Sequence, residues 1–551
     1  MSRHSPSLTF VLDENKAGPK QYASIFPYEI WRECFMLLDM KDHKNLARTC
    51  HLFHDICLPF ILKSITYSLK FIFNKKCLFG DMAKQLQEFT EHEGHFLGLI
   101  ADDRRRALVR KLTLAHSLKL APRTDEMVAK SAKDAYDMYL ETFMNCVPLF
   151  SYLNEIDIRF NKNLDKKLLS ALATLPQLEQ LSLFSVKFGA HVSKPLIKVR
   201  KLLIDNKVHD SNPIGTAKRL EVFSGEALEE LKILSRAYGP KLFRSFANQK
   251  TLKQLKHLSF QLHSHELSTL EPFLEKCPKL SSINADFGIR SHVTPTTIPP
   301  LPPSTIPHLN SFTGYDAEVE IFVPKRPVRK VILVQPDKWI GPTRTSEQLR
   351  KLFANLSKST GPICDLHIDM ALTPELMDSI TTHFPQLSQL GLQLDTWKQV
   401  FPCQDPIDVP FEDAVMDQIL LKGWFVDPEE DKGSSAKHFP QIYLFNVYVR
   451  VLHWIAHKKI VIPPRLETLF LEVNNWYLHL PEIPQDPDSL YVLDNRFQHI
   501  LYLGFIAELI FKTLSIHYPT LHEVVIGARQ KNEIRWEKDL DGNWSCSRVR
   551  Y

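Results

Sequence analysis

The stretch KKLLSALATLPQLEQLSLF, residues 166–184, sets a helix-like run against a strand-like one with Pro176 between them. Proline cannot continue a helix, and it biases the residue before it toward extended backbone. Beyond it, Leu178, Leu181 and Leu183 form an apolar-x-x-apolar-x-apolar string. The closing alternation points two side chains to one face of a short strand. Helix, proline and strand in this order make a unit that cannot bury its apolar face alone but can do so against a copy of itself.

Copies are present. CPKLSSINA (Leu280, Ile283, Ala285), FPQLSQLGL (Leu387, Leu390, Leu392), PPRLETLFL (Leu466, Leu469, Leu471) and YPTLHEVVI (Leu521, Val524, Ile526) carry the proline. LKHLSF (Leu255, Leu258, Phe260) lacks it, and weaker copies start at Val109, Leu153, Val199, Leu309, Val328 and Ile363. Start positions 21, 24, 25 and 29 residues apart lie in or near the ~20–29 range of leucine-rich repeats. Gaps of 35, 44, 55, 56 and 79 require insertions or further copies. The expected fold is an α/β chain built mostly as an irregular, leucine-rich-repeat-like solenoid.

Composition narrows the function classes. Of the residues, 44% are hydrophobic and 24% charged, which suits a folded chain with a sizeable core. The net charge of +5, from 68 basic against 63 acidic residues, is too small over this length to imply a nucleic-acid or membrane-surface partner. Only 18 of 551 residues are glycine, against about 7% on average, and phosphate-cradling loops need glycine. No GxGxxG, GxxxxGK[ST] or GxSxG string occurs. Nine scattered cysteines fit a reducing compartment better than a disulfide framework. With no long apolar span or signal-peptide core, the expectation is a soluble protein of the cytoplasm or nucleus, or both.

SIFPYEIWRECFMLLDMKDHKNLARTCHLFHDICLPFI, residues 24–61, is the best-specified segment outside the repeats. Pro27 suits a first helical position. Ile30, Cys34, Leu37 and Leu38 recur at three- and four-residue spacing as one apolar stripe, and Asp42 is placed to cap a second, short helix. Leu46, Cys50 and Phe53 carry an apolar face into a third. About 40 residues rarely sustain a core alone, so the unit should pack on something else.

In the order Phe26-Pro27, Glu29-Ile30, Cys34-Phe35, Leu38-Asp39, Asp42, Leu46, Cys50 and Phe53, this segment resembles the F-box. His43 stands where an apolar residue is more common, and Phe53 where tryptophan is frequent. With the repeats behind it, the layout is similar to the large F-box families of fungi. The resemblance implies docking on a Skp-type adaptor, and through it a cullin, with Phe26, Pro27, Ile30, Phe35, Leu38, Leu46, Cys50 and Phe53 forming the docking surface and its support. It implies a non-enzymatic, cofactor-free subunit of an SCF-type ubiquitin ligase whose repeats recruit a protein substrate. A scaffold using the same repeats without ubiquitin transfer is the alternative.

The expected organisation is a polar arm (1–23), the F-box (24–66), repeats (67–530) with inserted loops near 292–308 and 402–440, and a hairpin (531–551) covering the last repeat. HEGH, from His92 to His95, has one residue too few between its histidines for a zinc-protease helix. The basic run from Asp102 to Lys111 suits the solvated end of a helix. In each of the twelve copies, three residues around the closing alternation should face the open side. Eight of these are acidic, among them Glu155, Asp157, Asp286, Asp365, Asp369 and Glu472, and four are basic. An acidic face of this kind suits a substrate segment rich in Lys or Arg and disfavours nucleic acid.

Overall fold

The structure is a computed structural model that describes residues 26–73, 79–120, 126–159, 163–164, 166–188, 196–206, 220–249, 252–263, 266–287, 300–334, 346–368, 374–394, 451–473, 509–528 and 532–550. The expected arm, the loop near 402–440 and residues 292–299 of the loop near 292–308 lie outside these residues, as does Asp369. The chain divides into two compact units, Met1–Phe246 and Ala247–Tyr551.

The first unit opens with three helices, α1 (Tyr28–Met36), α2 (Met40–Leu46) and α3 (His51–Leu62). The strand β1 (Ser64–Phe73) follows at once, then α4 (Phe79–Ala101), α5 (Asp103–Arg106), β2 (Lys111–Leu120) and α6 (Glu126–Cys146). The unit continues with β3 (Glu155–Arg159), α7 (Lys166–Ala173), β4 (Gln180–Phe184), β5 (Lys201–Asp205), β6 (Glu230–Leu234) and α8 (Gly239–Ala247). The six strands pair in that order, all parallel.

The second unit carries β7 (His257–Gln261), β8 (Ser282–Asp286), β9 (Ser311–Gly314), β10 (Lys330–Leu333), β11 (Asp365–Ile368), β12 (Gln389–Leu394), β13 (Thr468–Val473) and β14 (Glu523–Ala528). These too pair in order and parallel. The antiparallel pair β15 (Asn532–Lys538) and β16 (Trp544–Arg550) then continues the sheet, with Gly542 in the left-handed region (φ 87°) at its turn. Trp536 and Trp544 of this pair both pack on Phe511.

All twelve start positions read from the sequence precede a strand by two residues. The strands lie in register, so equivalent apolar residues align in rows. Leu112, Ile156, Leu181, Leu202 and Leu231 form one row, and Ile283, Phe312, Val331, Leu366, Leu390, Leu469 and Val524 another, all buried. A second regularity is in the backbone. The carbonyl just before one strand accepts the two amides that start the next, as at Asn154 (from Glu179 and Gln180), Ser281 (from Asn310 and Ser311) and Cys364 (from Ser388 and Gln389). Apolar rows supply the burial, and these shared carbonyls fix the spacing between strands.

Two of the fourteen parallel strands, β1 to β14, lack a recognised copy. The gap of 56 residues holds β6, introduced by Leu228, Leu231 and Ile233 without a proline. The other is β1, whose pattern Leu62, Ile65, Tyr67 begins inside α3. The gap of 44 holds α6, a crossover of 21 residues. The first shared carbonyl is that of Lys63, the residue capping α3, which accepts from Arg110 and Lys111. The helical segment therefore runs straight into the first rung of the ladder.

Candidate functional site

The three N-terminal helices enclose a small core of Phe35, Ile56 and Cys57, with Trp31, Leu38, Leu46, Leu52, Phe53 and Phe60 packed against it. Edge-on aromatic contacts tie it together: Trp31 to Phe53 at 4.9 Å, Phe35 to Phe53 at 5.1 Å and Phe26 to Trp31 at 5.4 Å. Pro27 is the N-cap of α1 rather than its first helical residue. Asp39, not Asp42, caps α2: the Asp42 amide donates to Asp39 Oδ1 at 2.8 Å. The break between the helices is shorter than the sequence suggested, so the capping position falls three residues earlier. Cys50 caps α3, its Sγ accepting from the Phe53 amide at 3.5 Å.

The apolar stripe of α1 divides in two. Trp31, Phe35 and Leu38 turn inward, with Phe35 only 4% exposed. Ile30, Cys34 and Leu37 turn outward, with Ile30 47% and Leu37 88% exposed. Grouping Leu37 with Leu38 was therefore incorrect, because adjacent helical residues point about 100° apart and only one can join the core. Phe26, Tyr28, Met36 and Met40 are exposed as well, but Tyr28 and Met36 face other sides of α1 and Met40 opens α2. Of the eight residues named from the sequence, Phe26, Pro27 and Ile30 lie outside, Phe35, Leu38, Leu46 and Phe53 lie in or against the core, and Cys50 is the half-buried cap of α3. Tyr28, Met36, Leu37 and Met40 were missed. Leu37 was already legible from the Ile30-Cys34-Leu37 spacing; Tyr28 and Met36 do not share that spacing and Met40 belongs to the next helix, so no pattern marked them.

His43 has a specific role. It is buried, its Nε2 donates to the Phe35 carbonyl at 2.8 Å, and its ring stacks on Phe60 at 4.8 Å. One imidazole supplies both the apolar face usual at this position and a hydrogen bond holding the last turn of α1.

Of the acidic residues expected on the open strand face, the described ones Glu155, Asp157, Asp286, Asp365 and Glu472 each have a polar neighbour. Lys111 bonds Glu155 and lies 3.2 Å from Asp157, which Arg159 approaches at 3.6 Å. The bond to Glu155 raises the Lys111 ammonium above its ordinary range. Gln261 donates to Asp286 at 2.9 Å. Lys330 pairs with Asp365, and His367 lies 2.8 Å from Asp365 and 3.8 Å from Glu472. Burial alone would raise the Asp365 carboxyl, but His367 and Lys330 outweigh it and hold the group below its ordinary value. The His367 ring reaches across β12 because Gly391 has no side chain; a Cβ there would come within 1.7 Å of His367 Nδ1.

The basic run forms α5, capped by Asp102, with Val109 and Leu112 buried just beyond it. Among the described residues no cluster of three metal-ligating side chains occurs, and no helix is long and apolar enough to cross a membrane. No curated protein matches the chain in sequence. Residues 24–64 match the F-box domain, so the segment whose outward stripe stands uncovered is an F-box.

Proposed function

We propose that this chain is the substrate-recognition subunit of an SCF-type (Skp–cullin–F-box) ubiquitin ligase. The supporting observation is the outward stripe of α1, an apolar row on a domain whose own core is already complete. An exposed apolar row beside a completed core suits a protein partner. A Skp-type adaptor would cover Phe26, Ile30, Leu37 and their neighbours, while Phe35, Leu46 and Phe53 hold that surface in shape. The chain itself needs no cofactor and performs no chemistry; ubiquitin transfer belongs to the partners, and degradation of the substrate is its consequence.

The ladder, in this reading a leucine-rich-repeat-like solenoid, presents its polar strand face to a protein substrate in the cytoplasm or nucleus. Glu155, Asp157, Asp286, Asp365 and Glu472 belong to that surface, with Asp369 as a further candidate. Several of these carboxylates already have cationic neighbours, so a Lys- or Arg-bearing substrate must share or displace Lys111, Arg159 and Lys330. The experiment is recovery of adaptor and of cellular clients on the full chain, with and without Pro27→Ala plus Ile30→Ala. Loss of adaptor with clients retained supports the division of labour. Retention of adaptor overturns the docking surface, and client recovery without any adaptor in the unaltered chain favours a plain scaffold.

A further inference from the structure

His92, one of the pair in HEGH, lies in α4 beside β1, which has a single neighbouring strand among the described residues. An edge strand leaves a row of backbone groups open to pairing. Here one is engaged: the Ser68 amide donates to His92 Nε2 at 3.2 Å. The imidazole stacks on Tyr67 at 5.6 Å and also reaches the Thr66 carbonyl. A residue of an adjoining strand would use the same two groups, accepting from one amide and donating to the carbonyl two residues earlier.

We infer that His92 is a proton-responsive plug in the outer edge of β1: neutral, it accepts the Ser68 amide, and protonated, it must release that amide and retain only the Thr66 carbonyl. The surroundings favour the neutral ring. Burial lowers its proton affinity, the Thr66 carbonyl partly offsets this, and His95 lowers it further. From α6, Tyr139 directs its hydroxyl to the Tyr67 and Ala115 carbonyls, and Glu93 accepts from Thr142. Because the folded state holds the ring neutral, stability is full above the unfolded value of about 6.5 and falls as pH drops toward the lower folded value. The plug sits on the first strand after the F-box, and opening it frees backbone groups of that edge.

The test is backbone hydrogen exchange in peptides spanning residues 64–73 of the full chain, corrected for intrinsic rate. The unaltered chain should show several-fold, up to about tenfold, less protection near pH 5.5 than near pH 7.5. His92→Gln, whose amide oxygen can accept from Ser68 and does not titrate, should stay protected at both values. His92→Leu should be weakly protected at both. Equal protection of the unaltered chain at the two values, a pH dependence that survives in His92→Gln, or full protection in His92→Leu would each overturn the inference.

Discussion

The F-box and the strand ladder use the same apolar residue types to opposite ends. In the ladder, Leu181, Leu231, Leu390 and Leu469 are fully buried, each row closed by the next strand. In the F-box, Phe26, Ile30 and Leu37 stay outside although Phe35, Ile56 and Cys57 have already formed a core. Apolar content alone does not separate the two regions; completeness does. A strand row is satisfied by its own chain, whereas α1 is apolar on two sides and can bury only one within the domain.

The comparison breaks most visibly through stability. Leu390→Ala should cost about 2–5 kcal/mol, because a fully buried side chain is removed from a row that cannot close up. Leu37→Ala should change urea unfolding by no more than about 0.5 kcal/mol. Comparable losses from the two would mean that Leu37 is covered by its own chain. Binding should show the reverse. Pro27→Ala with Ile30→Ala should lower adaptor affinity by about 2 kcal/mol per anchor while the ladder melts as before.

Two smaller effects sharpen the polar side of the ladder. Gly391→Ala should cost about 1–3 kcal/mol, since the new methyl displaces the His367 ring. Adding His367→Ala should return most of that loss, and a double variant no better than the single one would show that the ring is not the obstacle. The smallest effect is that of Asp365. Its carboxyl is held below its ordinary value, so its contribution is full above that value and lost as pH falls through the lower, folded one. An acid-unfolding curve of Asp365→Asn should lack this component, and a curve superimposable on that of the unaltered chain would deny it.

Much of the ladder was legible because a proline after a helix followed by apolar-x-x-apolar-x-apolar reports a change of backbone geometry, not just composition. Leu228, Leu231 and Ile233 carry the full apolar pattern without a proline, as LKHLSF does, and went unread all the same, whereas β1 was hidden because its first apolar residue, Leu62, still belongs to α3. In the F-box the spacing located the helix but not its inward side. Ile30-Cys34-Leu37 and Trp31-Phe35-Leu38 are equally periodic, and only packing against Phe53 and Ile56 decides between them. His43 was legible as a departure; its bond to the Phe35 carbonyl was not, because it joins residues eight apart in the chain.

The central claim is that the outward stripe of α1 awaits a Skp-type adaptor. Titrating purified adaptor into the full chain, and into Ile30→Ala with Leu37→Ala, measures this most directly. The account predicts saturable binding to the unaltered chain, a loss of at least about tenfold in affinity in the variant, and identical thermal unfolding of the two proteins. No binding by the unaltered chain, or equal affinity in both, would contradict it.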